Sequence, residues 1–282
     1  TYPATIVGRS ENNDLAILKV SAPSNILIPA KLGDSSKLQI GQSAIAIGWT
    51  AGQTVQGRNA IAIGPGAGQF SQQTNAIGIG SSSGYSSQFA NAIAIGNSSG
   101  VFRQGTFSVS IGISTGTNDQ RSSAIAIGNT AGQDNQLFAA IAIGSTAGFN
   151  TQRTYAVAIG LVAGQADQMD LAVAIGQGSG QFTQGGSAIA IGSGSGQNGQ
   201  GTNAISIGGG AGQSIQSINS VAIGIFSANN RQSINAVAIG SNAGQTFQTT
   251  NAVAIGFLAG GFSQGFAAVA IGFSAGQTNQ GT

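Results

Sequence analysis

The sequence predicts an all-β fold, a parallel β-solenoid (β-roll) of fifteen 16-residue coils with a short N-terminal β segment. Three observations predict it. An Ile-Gly pair recurs with its Gly at 48, 64, 80 and onward to 272, spaced by 16 every time with no insertion. The pair closes an alternating run such as Ala60-Ile61-Ala62-Ile63, which has the period of a strand and ends in a turn residue. Finally, Gly makes up 47 of 282 residues and charge only 6%, yet 41% are hydrophobic, too many for a solvated coil.

Residues 1–42 stand outside the period and form a first segment of short strands, and residues 43–282 hold the coils. All three Lys (Lys19, Lys31, Lys37) lie in the first segment. Its strands are expected to cap the open end of the solenoid.

Within each coil, recurrent Gly and β-branched residues oppose a helix. A strand of four residues cannot stand alone, so each copy must pair with the copies before and after it, about 4.7–4.9 Å away. Fifteen coils then give a rod of roughly 70 Å. Alternation sends Ile and Ala to opposite faces. The bulkier residue is expected inside: Ile47, Ile63, Ile79, Ile95, Ile111, Ile127, Ile143, Ile159, Ile175, Ile191, Ile207, Ile223, Ile239, Ile255 and Ile271, with the Ile or Val two residues before each. Burying one such side chain is worth around 1.5–3 kcal/mol. Asn59 and its equivalents share that face. The Ala positions then form a flat, small-residue outer strip, expected to be buried against another copy or another layer of the chain.

The Gly of the pair and a second Gly four residues later bracket a turn, Gly-x-x-Ala-Gly, with Ala228 replacing the second Gly once. Variable pairs such as Trp49-Thr50, Pro65-Gly66 and Phe257-Leu258 fit loop tips. A second short strand, Gln-x-x-Gln, follows. Its last residue is Gln in every coil: Gln56, Gln72, Gln88, Gln104, Gln120, Gln136, Gln152, Gln168, Gln184, Gln200, Gln216, Gln232, Gln248, Gln264 and Gln280. An exposed position would drift, as its neighbours do, so the column is expected to be an amide ladder hydrogen-bonded along the axis.

The unit Asn-Ala-Ile-Ala-Ile-Gly-x-x-Ala-Gly resembles the head repeats of YadA-like trimeric autotransporter adhesins, which read Asn-Ser-Val-Ala-Ile-Gly. It is also similar to repeats of viral and phage fibre proteins. The resemblance covers residues 43–282 and implies a left-handed roll packed as a trimer. It departs from the family in its 16-residue unit, where 14 is typical, and in its fixed Gln.

The N-terminal segment resembles another family. Tyr-Pro-Ala-Thr-Ile-Val-Gly-Arg, Asp-Leu-Ala-Ile-Leu-Lys-Val and Leu-Gly-Asp-Ser-Ser-Lys-Leu-Gln-Ile-Gly-Gln-Ser-Ala-Ile-Ala-Ile-Gly are similar to part of an HtrA/DegP-type trypsin-like serine protease. The resemblance implies that Asp14 matches the triad acid. A triad needs a base to take the serine proton, and the chain has no His. The Gly-Asn-Ser-Gly-Gly nucleophile segment is missing as well, so no catalytic residue is assigned and Asp14 is read as structural. The resemblance ends in the first Ala-Ile-Ala-Ile-Gly, which points to a junction near residue 43.

Other chemistry finds little support. Without His or Cys no zinc site is expected, and Asp119, Asp134, Asp167 and Asp170 are too scattered for calcium-binding rolls. Gly208–Gly212 is a repeat turn, with no Gly-Lys-Ser/Thr after it. No cofactor, metal or membrane span is predicted, and a net charge of +2 does not suggest nucleic acid. Phe70, Phe102, Phe182 and Phe262 fit packing between neighbouring coils or, alternatively, stacking on a sugar or surface.

The reading is a structural fibre, filament or adhesin-like solenoid, extracellular or on a cell or virion surface. It would self-associate as a trimer or end-to-end filament and could present a cell-surface or glycan ligand site. One alternative is a non-catalytic spacer or accessory region of an HtrA-like protease relative, and another is a surface- or ice-binding solenoid. The chain opens on Thr1 and stops at Gln280-Gly281-Thr282 without a charged cap, which suggests either a longer natural chain or end-to-end stacking.

Overall fold

The computed structural model describes residues 3–10, 15–22 and 43–281, and Asp14 lies outside them. The chain separates into two units, Thr1–Ile40 and Gly41–Thr282. In the first, β1 (Ala4–Ser10) pairs antiparallel with β2 (Leu15–Val20), from Ala4 opposite Val20 to Ser10 opposite Leu15, with a register shift between Ile6 and Gly8.

The second unit is a parallel β-solenoid of about fifteen 16-residue turns built from two sheets. The Ile sheet has fifteen three-residue strands, from Ile45–Ile47 to Val269–Ile271, in sequential order. Each residue pairs with the one 16 further on, as in Ile61 with Ile77 and Ile63 with Ile79. The Gln sheet has fourteen strands, from Phe70–Gln72 to Thr278–Gln280, and the first coil adds a bridge between Gln56 and Gln72. Three-residue strands persist because every one is held on both sides by its neighbours, except at the two edges.

Backbone conformation shapes the coil. Gly144, which ends an Ile strand, has φ +125, and a Cβ there would sit 2.5 Å from the Gly160 carbonyl oxygen of the next coil. No side chain fits between coils at that point, which accounts for the fixed Ile-Gly pair. The middle residue of each Gln strand is also left-handed, for example Ser71 at φ 58 and Asp167 at φ 54. That residue leaves the ladder, so pairing joins only the outer two, Phe70 with Ser86 and Gln72 with Gln88. It also undoes the alternation: Phe70 is exposed while Gln72, two residues on, is buried. Asn59, Asn75 and Asn91 are left-handed too, at φ 57–59, a conformation Asn tolerates because its short amide can bond locally.

The inside and outside of the Ile strands are the reverse of the expectation. The alanines fill the interior: Ala60, Ala62 and Ala67 of one coil and Ala188 and Ala190 of another are 0% exposed. The column from Ile47 to Ile271 faces outward with its Ile/Val partners. Most of these side chains are half-buried by their neighbours along the sheet, Ile191 is 37% exposed, and the edge residues Ile47 and Ile271 reach 59% and 64%. They are not the core, and the Ala strip is not a surface. Asn59 and Asn75 likewise lie on the outside.

Coil width is the physical reason. The Gln side chain crosses the interior from the opposite sheet. A Cβ on Gly148 would meet Gln152 Oε1 at 2.7 Å and Ala142 Cβ at 3.2 Å. Methyl groups and one amide already fill the section, and a second branched side chain would overpack it. The largest fully buried side chains among the described residues are accordingly glutamines.

Candidate functional site

Two regular surfaces dominate the solenoid, one internal and one external. Inside, the invariant glutamines form an amide ladder. Gln72 Nε2 donates to Gln88 Oε1 at 2.9 Å, and Gln88 Nε2 to Gln104 Oε1 at 3.0 Å. The series resumes at Gln120 and runs to Gln280. Each Nε2 has backbone acceptors as well: Gln72 donates to the Ile61 carbonyl at 2.8 Å and lies 3.3 Å from that of Ala76. The Ala76 carbonyl also accepts from the Ile61 N–H at 2.9 Å, so the amide fills a second lone pair there. It is the buried amide itself that would cost roughly 1–3 kcal/mol if left without acceptors. The ladder thus performs the task that apolar contact performs in a wider core. Alanine alone buries little, since a methyl-sized group is worth about 0.8 kcal/mol.

Outside, the Ile sheet presents two parallel columns of Ile and Val along its whole length. At the strand spacing this makes a strip roughly 65 Å long and about 10 Å wide. That exceeds the few hundred Å2 of contiguous apolar surface usual on a soluble monomer. The neighbouring face is different in kind: the outer first position of the Gln strands reads Phe70, Ser86, Phe102, Asn118, Asp134, Asn150, Ala166 and Phe182. Of the aromatics singled out from sequence, Phe70 packs edge-on against Tyr85 with ring centroids 5.2 Å apart, and it remains 39% exposed. Phe102, Phe182 and Phe262 are also exposed.

Charge contributes locally. Arg103 and Asp119, one coil apart, form an ion pair on the Gln sheet, and Asn118 donates to Asp134 at 2.6 Å. Among the described residues no group of His, Cys, Asp or Glu could hold a metal ion, and no helix is long and apolar enough to cross a membrane.

A second, outer amide column escaped the sequence reading. Gln165, Gln181, Gln197, Gln213 and Asn229 are joined at 2.8–2.9 Å, each of the last four donating to the residue 16 before it and Gln165 accepting at the end. Its signal was a Gln recurring at the coil period three residues before the invariant one.

Residues 1–124 match a family model described as a trypsin-like peptidase domain. The chain is similar to Protease Do-like 8, chloroplastic, of Arabidopsis thaliana, with 45% identity over 47 residues, which is 17% of this chain and 10% of that protein. It is 42% identical over 48 residues to Protease Do-like 1, chloroplastic, of the same plant, covering 17% of this chain and 11% of the relative. The chain thus spans about a tenth of the length of the curated relatives it matches. No solved structure matches. The family match runs past the first unit into residues that form solenoid coils, where strands such as Ile61–Ile63 and Ile77–Ile79 pair in parallel. With no His in the chain, no His-based triad can be assembled from it.

Proposed function

We propose that this protein is a structural rod, fibre- or adhesin-like, on a cell or virion surface, and that it assembles with further copies of itself through the Ile/Val face of the Ile sheet. The observation that carries this reading is the inverted strand. Ala faces in, so the bulky apolar side chains of fifteen successive coils face out in two unbroken columns. The columns are straight because the register is exact in steps of 16. A second copy of the same face is complementary to them in spacing, and packing two or three such faces would remove the strip from water. The repeat's likeness to trimeric adhesin heads favours three.

Sedimentation velocity tests this. The wild-type chain is expected as trimers or larger rods at micromolar concentration. Ile143→Lys combined with Ile175→Lys, which places charges on the outer columns without touching the interior, should give a folded monomer that still unfolds in one cooperative transition, now independent of concentration. A wild-type monomer at tens of micromolar would sink the proposal.

A second reading is favoured by one observation, the trypsin-like match over residues 1–124. In it the solenoid is a rigid, non-catalytic spacer in a relative of the Do-like proteases. Both readings use the coils as a scaffold, and they differ in what the scaffold carries.

A further inference from the structure

Between coils the tip of the Gly-x-x-Ala-Gly turn carries a side chain at most levels, such as Ser82, Thr146, Asn242 and Leu258. At three successive levels it does not, for Gly178, Gly194 and Gly210 stand in one column. The missing side chains open a trough of about 670 Å3 along the axis, closed at one end by Val162 and at the other by Ile225 and Phe226. These ends are four coils apart, roughly 19 Å at the strand spacing. The floor is the outer amide column, Gln181, Gln197 and Gln213.

We propose that this trough binds a neutral oligosaccharide. Each floor amide uses one N–H and one lone pair on its neighbours in the column. A primary amide has two of each, so one N–H and one lone pair per coil stay available. A sugar hydroxyl is at once donor and acceptor and matches that pair. No lining side chain carries a charge, so nothing there selects an anion or a cation. The two ends supply apolar surface for the less polar edges of sugar rings, Val162 at one and Ile225 with Phe226 at the other, the Phe226 ring lying over Gly210, where a Cβ would come within 2.6 Å of it. Apolar surface with a few placed polar groups is the usual form of a small-ligand site. Here the polar groups recur once per coil, so the occupant is a chain of similar repeating units rather than a single ring.

The trough can be filled without disturbing the coil. Gly194 has φ +63, and in the same column Leu258 and Val162 adopt φ 57 and φ 50. Titration calorimetry of the full chain with cellotetraose and with chitotetraose provides the test. Saturable binding of at least one is expected, weakened about tenfold or more by Gly194→Leu, while the melting curve stays unchanged. Ser82→Leu, in the same column but outside the trough, should bind as wild type. Should Gly194→Leu melt lower, Gly194→Asn is read in its place, since Asn242 sits in this column at φ 55. Three results would overturn the proposal: no saturable binding of either tetrasaccharide, full binding by the folded Gly194 variant, or an equal loss in Ser82→Leu.

Discussion

Two stretches of the solenoid follow the same plan with different interiors. From Ala126 to Ala174 the inward groups of the turn and Ile strand are methyls. Ala131, Ala142, Ala147, Ala158, Ala163 and Ala174 form one cluster, and the amide ladder beside them is continuous from Gln120 to Gln184 with links of 3.0–3.1 Å. One coil earlier, Ser110 and Thr115 replace two of those alanines. Their hydroxyls are satisfied: Ser110 Oγ donates to the Thr115 carbonyl at 2.7 Å, and Thr115 Oγ1 to that of Gly128 at 3.1 Å. Yet Gln120 Oε1 and Thr117 Oγ1 are buried there without a partner, and Gln104 donates only to the Ile93 carbonyl. A single serine does no such harm, since beside Ser206 the link from Gln200 to Gln216 survives at 3.2 Å. The comparison teaches that the ladder depends on the volume beside it. One extra oxygen is absorbed, but a Ser and a Thr in one coil are not.

Four substitutions would break or sharpen that comparison. The largest effect is expected from Ala158→Leu in the all-methyl stretch, where the filled section offers no room. It should cost about 3 kcal/mol or more in urea denaturation, and a loss below 1 kcal/mol would show the interior to be wider than described. Next comes the difference between two ladder deletions. Gln152→Leu removes two ladder links, leaving Gln136 Nε2 and Gln168 Oε1 without their ladder partner, together with a donor to the Ile141 carbonyl and a second donor to that of Ala156, and should cost roughly 2–3 kcal/mol. Gln104→Leu, beside the break, should cost about 1 kcal/mol less, and equal losses would deny the ladder its energetic role. The smallest effect is a gain. Thr115→Ala should restore the link to Gln120 and raise stability by about 0.5–1 kcal/mol, visible as a higher denaturation midpoint.

Much of this was legible in the residues. Strict spacing fixed the coil length, and alternation ending in Gly marked the Ile strand and its turn. The unvarying Gln column pointed to an amide series, because nothing exposed would stay constant beside positions such as Phe70, Ser86 and Asp134. What alternation cannot say is which face is inside. It states that Ile63 and Ala62 point opposite ways, and the choice falls to the coil's width. That width follows from left-handed residues such as Ser71 and Thr183, whose identities carry no left-handed signature, and from the reach of a Gln lying across the coil. The preference for burying the larger residue was therefore overruled by space. The glycines at 178, 194 and 210 were equally plain in the sequence, but a turn glycine reads as a corner until the neighbouring levels show what it leaves open.

The orientation of the inner glutamines has one more consequence. Their nitrogens are held toward the backbone carbonyls of their own coil, so none can rotate by half a turn without losing those acceptors. Within each unbroken run, up to Gln104 and from Gln120 onward, the amides therefore donate in one sense, toward the following coil, and the small dipoles add and polarise one another along the run. The outer column from Asn229 to Gln165 donates the opposite way over its shorter run. The solenoid thus has an electrical direction as well as a fold, with a heading written into its centre by the side chains that hold it closed.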